Sequence, residues 1–92
     1  KTIHIKEFTK RSLKDVLARL IGTKGKTRKT IADISNCEVL IKESEVGILG
    51  NATDIDKVST AVINIIRGSK QANAYRYLER RNREEKNFKD DF

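Results

Sequence analysis

A four-residue corner, Gly22-Thr23-Lys24-Gly25, stands between two helix-like segments and is followed at once by Lys26, Arg28 and Lys29. A G-x-x-G spacing alone is weak, since it also suits an ordinary helix–helix turn. Its setting narrows what the chain can build. A turn with no side chain at either end lets another backbone, such as a sugar-phosphate chain, come close to the peptide. A helix starting at about Lys26 would aim its unsatisfied N–H groups and positive dipole end at the same phosphates.

The surrounding pattern supplies the rest of a small fold. Residues 2–8 place Ile3, Ile5 and Phe8 among polar residues and read as a half-buried strand that loses its alternation at the end. Ser12 with Asp15 resembles a capping box, and Leu13, Val16, Leu17, Leu20 and Ile21 follow at helical spacing up to Gly22. A second helix is predicted over 26–35, with Ile31 and Ile34 apolar and Asn36 as its stop. Residues 37–42 read as a strand with Cys37, Val39 and Ile41 on one face and Leu40 on the other. Residues 46–50 return as its hairpin partner. Thr53 with Asp56 resembles a second capping box, opening a helix striped by Ile55, Val58, Ala61, Val62, Ile65 and Ile66. After Gly68 and Ser69, a segment over about 70–86 carries Ala74, Tyr75 and Leu78 and then turns highly charged. Asn87 to Phe92 is expected to fray. The reading divides the chain at residues 1–68 and 69–92.

Ninety-two residues hold one small domain, and with few aromatics its core must come from Ile, Leu, Val and Ala. The chain does not begin with Met, as expected of a fragment or a processed chain. No apolar run approaches membrane-spanning length, and no signal peptide is visible. The lone Cys37 has no internal disulfide partner, which fits a reducing, cytoplasmic setting. It is expected to act as a small buried apolar group. The net charge of +7 is lopsided: residues 1–30 hold ten Lys/Arg against two acids, whereas residues 31–92 hold ten against eleven. The positive field therefore belongs to the part of the chain with the glycine corner, and it favours polyanions. A solvated lysine-rich face remains the bland alternative.

The order strand, helix, G-x-x-G, helix, strand, strand, helix resembles the KH family over residues 2–67. That resemblance implies an α+β fold (β-α-α-β-β-α), a three-stranded sheet covered by helices on one face, here with an extra C-terminal helix. Many KH domains carry an apolar residue three positions after the second glycine, where this chain has Arg28, so the groove should be more polar. The stretch Arg19 to Ile31, reading RLIGTKGKTRKTI, is similar to the second KH domain of the Partner-of-Nob ribosome-assembly family. Ala74 to Arg81 (AYRYLERR) is similar to its archaeal branch. Relatives often show a Gly-Arg pair where this chain has Ala18-Arg19. The family implies a preceding, degenerate KH domain, binding near the 3′ end of small-subunit ribosomal RNA, and contact with the Nob endonuclease. In archaeal members it also implies contact with the initiation factor that carries initiator tRNA. It implies a cytoplasmic location, or a nucleolar and cytoplasmic one in a eukaryote.

On this reading the RNA-binding residues are Ile21, Gly22, Thr23, Lys24, Gly25, Lys26, Thr27, Arg28 and Lys29. Val16 or Leu17, Ile21, Ile31 and strand residues 39–41 form a groove floor, with either Val39 or Leu40 exposed there (Leu40 if Cys37, Val39 and Ile41 face the helices), and the backbone at 39–41 meets a base edge. Few aromatics are present for stacking platforms. No cofactor, metal site or catalytic residue is expected. His4 lacks partners for a metal, Asp54 and Asp56 sit where helix caps belong, and Asp90 and Asp91 have no nucleophile beside them. Tyr75 and Leu78 should pack the last helix onto the domain, leaving Tyr77, Arg76, Arg80 and Arg81 for RNA or a protein. Three rivals stay open: a protein-interaction KH module, an RNA-processing enzyme, and a KH module of an unrelated RNA-decay or translation protein.

Overall fold

The computed structural model describes residues 1–90, and the side chains of residues 1–86. The elements follow the expected order: β1 (Thr2–His4), α1 (Leu13–Ile21), α2 (Lys26–Ser35), β2 (Glu38–Ile41), β3 (Glu45–Leu49), α3 (Ala52–Ile66) and α4 (Gln71–Asp90). The strands form one antiparallel sheet in the order β1-β3-β2, with Ile3 opposite Val46 and Val39 opposite Ile48. This is an α+β fold, with a three-stranded sheet and its helices gathered over one face.

Alternation along the strands decides that face. Ile3, Val39, Val46 and Ile48 turn inward and meet Val16 and Leu20 of α1, Ile31 of α2, and Val58, Val62 and Ile65 of α3. Each is at most 3% exposed. Cys37 joins this core as expected, and burial pushes its thiol pKa up, so it stays a neutral thiol at ordinary pH. His4 is solvated apart from its cross-strand partner Glu45, with Nδ1 3.6 Å from Oε2.

The local signals needed correction at four places. The first strand ends at His4 rather than running to residue 8. The chain there tightens into a 3₁₀ turn, Ile5–Glu7, because the Ile5 amide donates to the Ser44 carbonyl at 3.0 Å and draws the Ile5 side chain into the core. That turn also brings Phe8 under the Arg67 guanidinium, 5.5 Å from its ring centroid. Ser12 occupies the N-cap of α1, but only its carbonyl takes part, accepting from the Val16 amide. The reciprocal cap of α3 is Asn51 with Asp54, not Thr53 with Asp56: Asn51 Oδ1 accepts from the Asp54 amide at 2.9 Å and Nδ2 donates to Asp54 Oδ2 at 2.8 Å. Finally, α4 is helical to Asp90, beyond the expected end near 86; Asp91 and Phe92 lie outside the described residues.

The last helix is part of the packed body. Ala74 and Leu78 are 1% and 0% exposed and belong to the same core as the sheet. Polar ties fix its course. The Asn82 amide donates to the Ile34 carbonyl at the end of α2 (2.8 Å), and Gln71 Nε2 reaches the Arg19 carbonyl at the end of α1 (3.5 Å). Lys57 of α3, only 2% exposed, places its ammonium 2.6 Å from Glu85, 3.1 Å from Asp54 and 3.1 Å from Asn82 Oδ1. Burial by itself would lower the Lys57 pKa, but the hydrogen bonds and charges of Glu85 and Asp54 outweigh it and hold the pKa above that of an ordinary lysine.

Two outcomes test this account of α4. Leu78→Ala should cost about 2–5 kcal/mol of unfolding free energy by urea denaturation, the range for emptying a core leucine site; a loss near zero would mean that α4 is not part of the folding unit. Because the folded pKa of Lys57 is raised, its contribution is complete below about pH 10.4 and is lost as pH climbs through the folded value. Thermal stability should therefore fall more steeply above that pH in the native chain than in Lys57→Met.

Candidate nucleic-acid interface

α1 ends at Gly22, whose φ of +77° and ψ of 172° no residue with a side chain adopts comfortably. A single 3₁₀ turn, Thr23–Gly25, then leads into α2. Gly25 is left-handed at φ +75°, and so is Lys24, at φ +56°. Three of the four corner residues thus hold positive φ. For Lys24 that conformation costs about 1–2 kcal/mol, strain of the kind found at functional loops.

The two glycines do different work. A Cβ placed on Gly22 would lie 2.2 Å from Thr27 Oγ1 and 2.7 Å from the Thr27 amide. The first glycine is therefore filled from within, by a threonine only 5% exposed. A Cβ placed on Gly25 meets nothing within 4 Å. The open approach lies at the second glycine. Gly25 is also the N-cap of α2 and offers no side-chain cap, and the first turn of that helix contains no acid. Its leading amides and the exposed Lys24 and Lys26 side chains make a positively polarised lip, suited to phosphate oxygens.

The expected site residues divide by burial. Ile21, Thr23, Lys24, Lys26, Arg28 and Lys29 are exposed around the corner, and Gly25 is half-exposed. Thr27 and Ile31, at 5% and 1%, lie beneath it and present no side-chain surface. Leu40 is 43% exposed, but on the outer face of the sheet, in a shallow depression with Thr2, Lys42, Gly47 and Leu49. Strand alternation sends it there, since its neighbour Val39 faces the helices. Val16 is a core residue, whereas Leu17 is half-buried.

Arg28 explains how the groove tolerates a charge where an apolar residue is common. Its Nη1 donates to the Val39 carbonyl at 3.3 Å, bridging α2 and β2. One backbone acceptor on β2 is thereby occupied, while a guanidinium carries further donors beside the one used. Arg19 does a different job from a loop cation. Its Nη1 donates to the Ile65 carbonyl at 3.2 Å and its Nη2 to the Ser69 carbonyl, tying the end of α1 to the end of α3. Sequence reasoning missed this role, since nothing local to Arg19 points to carbonyls 46 and 50 positions away. The buried Lys57 was also missed; Asp54 three residues before it was the available signal. Among the described residues no group of three or more His, Cys, Asp or Glu is placed to hold a metal ion, and no helix is long and apolar enough to cross a membrane.

Known proteins resemble this chain in sequence and in fold. The family description for the second KH domain of PNO1, a eukaryotic-type (type I) KH domain, matches residues 1–83. A KH domain-containing protein of Methanocaldococcus jannaschii is 30% identical over 69 residues, covering 75% of this chain and 30% of that protein. The RNA-binding protein PNO1 of Oryzias latipes is 30% identical over 63 residues, covering 68% of this chain and 26% of its own length. Among solved structures, Dim2p of Pyrococcus horikoshii, in a complex with a/eIF2α and rRNA, superposes with a TM-score of 0.85 at 36% identity, over 91% of this chain and 46% of that one. An Aeropyrum pernix protein of unknown function gives 0.90 at 28% identity, over 97% and 49%. The chain thus spans under half the length of these solved relatives and about a third or less of the curated ones.

The unequal glycines lead to a direct test. Gly22→Ala should destabilise the fold by at least about 2 kcal/mol, from backbone strain plus collision with Thr27. Gly25→Ala should cost only about 1 kcal/mol, from strain alone. Equal losses in urea melts would contradict this division of roles.

Proposed function

The chain belongs to the KH family typified by the second KH domain of PNO1, and from that premise we propose that it binds single-stranded ribosomal RNA near the 3′ end of the small-subunit RNA during ribosome assembly. The observation that carries the reading is Gly25: a left-handed corner with open space where a side chain would be, at the uncapped mouth of α2. There the sugar-phosphate backbone of roughly four nucleotides lies against the peptide. Lys24 and Lys26 neutralise phosphates, and the α2 amides add hydrogen bonds. The bases turn toward the groove between α2 and β2, where Arg28 supplies donors.

The module is non-enzymatic: RNA is held, and no residue transfers a proton or attacks a phosphate. The rRNA and the a/eIF2α seen with the Pyrococcus protein support the choice of RNA and of a translation factor as partners. A Nob-type endonuclease acting on the RNA end held here, and a cytoplasmic site of action, complete the proposal.

Replacing Thr23 and Lys24 together by aspartate should abolish binding of a small-subunit 3′-end oligonucleotide in fluorescence anisotropy, while circular dichroism and melting stay near those of the native chain. Both side chains are exposed, so folding should survive. In the native chain the logarithm of affinity should fall with the logarithm of salt at about 0.7 per neutralised phosphate. Unchanged affinity in a folded double variant would overturn the clamp.

A further inference from the structure

α4 carries a second polar surface that the clamp does not use. Along one side of α4, Arg76, Tyr77, Arg80 and Arg83 face Thr60 and Asn64 of α3 across an open groove of ≈ 610 Å³. No acid lines it. Arg80 has one acidic neighbour, Glu84, with its Oε1 3.7 Å from Nε, and both side chains are more than 60% exposed. Such a pair is worth little and yields readily to a stronger anion. Arg76 touches Asn73 Oδ1 at 3.5 Å. Neither Arg76 nor Arg83 forms an ion pair with the described residues.

Tyr77 is held in place rather than loose. Arg81 Nη1 donates to its hydroxyl at 2.6 Å, and the Arg80 and Arg81 guanidinium carbons each lie 5.7 Å from the ring centroid. The groove therefore has a fixed aromatic wall, three planar cations along one edge and neutral side chains opposite. Among the described residues none of its lining side chains is aliphatic, and Tyr77 is its one aromatic. Arginine forks match phosphate oxygens in pairs, and an arginine–tyrosine stack suits a nucleotide. The position also fits: Gln71, which opens α4, bonds the carbonyl of Arg19, three residues before Gly22, so this helix starts at the clamp end of the domain.

We infer that the α3–α4 groove is a second RNA-contact surface, taking the phosphates of the same strand beyond the nucleotides held at the clamp. The inference rests on the proposal that the clamp binds RNA, and the test separates the two. Two labelled single-stranded RNAs, one of about five nucleotides to fill the clamp alone and one of about twenty to reach α4, are titrated with the whole chain. The native chain should bind the longer RNA on the order of tenfold more tightly and with a steeper salt dependence.

In R76Q/R80Q/R83Q the short RNA should bind as before. The long RNA should lose its advantage, with the salt slope shallower by about two for three lost phosphate contacts. Asn64→Glu, which adds a negative charge from the opposite wall and leaves the arginines intact, should do the same and serves if the triple variant fails to fold. Undiminished affinity for the long RNA in a folded variant would overturn the inference. So would loss of polyglutamate binding in that variant with RNA binding intact, which would assign the groove to an acidic protein. The Thr23→Asp/Lys24→Asp chain reports separately on the clamp: failure there removes short-RNA binding from the clamp without altering the comparison made in the groove.

Discussion

The contact on which the site depends is Thr27 seated in the space where Gly22 has no side chain. It draws the first turn of α2 against the last turn of α1 closely enough that a single methyl group would collide with it. With Thr27 pulled inward, the residues on either side of it, Lys26 and Arg28, are sent outward by helical geometry. The corner must then bulge away from the core, and it does so through one tight turn in which Gly22, Lys24 and Gly25 hold positive φ. Strain at Lys24 is tolerated because both glycines flank it and both helices are anchored by core residues, Leu20 on one side and Ile31 on the other. An exposed, polarised helix start is thus a consequence of packing behind it.

The anchoring extends through the whole domain. α1 is tied to the end of α3 by the Arg19 guanidinium and to the start of α4 by its own carbonyl. α2 is tied at its far end to Asn82, and α3 at its start to Glu85 through the buried ammonium of Lys57. These bonds satisfy helix-end carbonyls and a buried charge, which would otherwise be costly to leave unpaired. They also set the direction of α4, and so bring Arg76, Arg80 and Arg83 into line beside α3. Packing of Ala74 and Leu78 makes the charged helix a wall of the domain while leaving its arginine side in solvent.

Wherever a local rule governed the outcome, it could be read in advance. Lys26–Ser35 is helical from the residue after the corner to the residue before Asn36, which closes it in left-handed conformation at φ +59°. That Val39 and Leu40 point to opposite faces of the sheet follows from the two-residue period of a strand, though not which of the two meets the helices. Where two neighbours both satisfied a rule, the local reading failed. Asn51-Asp54 and Thr53-Asp56 both have cap spacing, and the folded chain uses the first pair, with Asn51 as the N-cap of α3. The first strand was cut short by a bond to Ser44, far along the chain and invisible in residues 2–8.

The residues by themselves determined the element order, the α+β class, the glycine corner and the concentration of positive charge in the first third of the chain, since each depends on neighbours a few positions apart. Tertiary structure decided which glycine is covered and which is open, that Arg28 leans on the Val39 carbonyl, and that Leu40 stands on the face away from the helices. It also decided that Lys57 is buried among Asp54, Asn82 and Glu85. Those outcomes follow from how separate elements share one core, and no window of sequence contains both sides of such a contact.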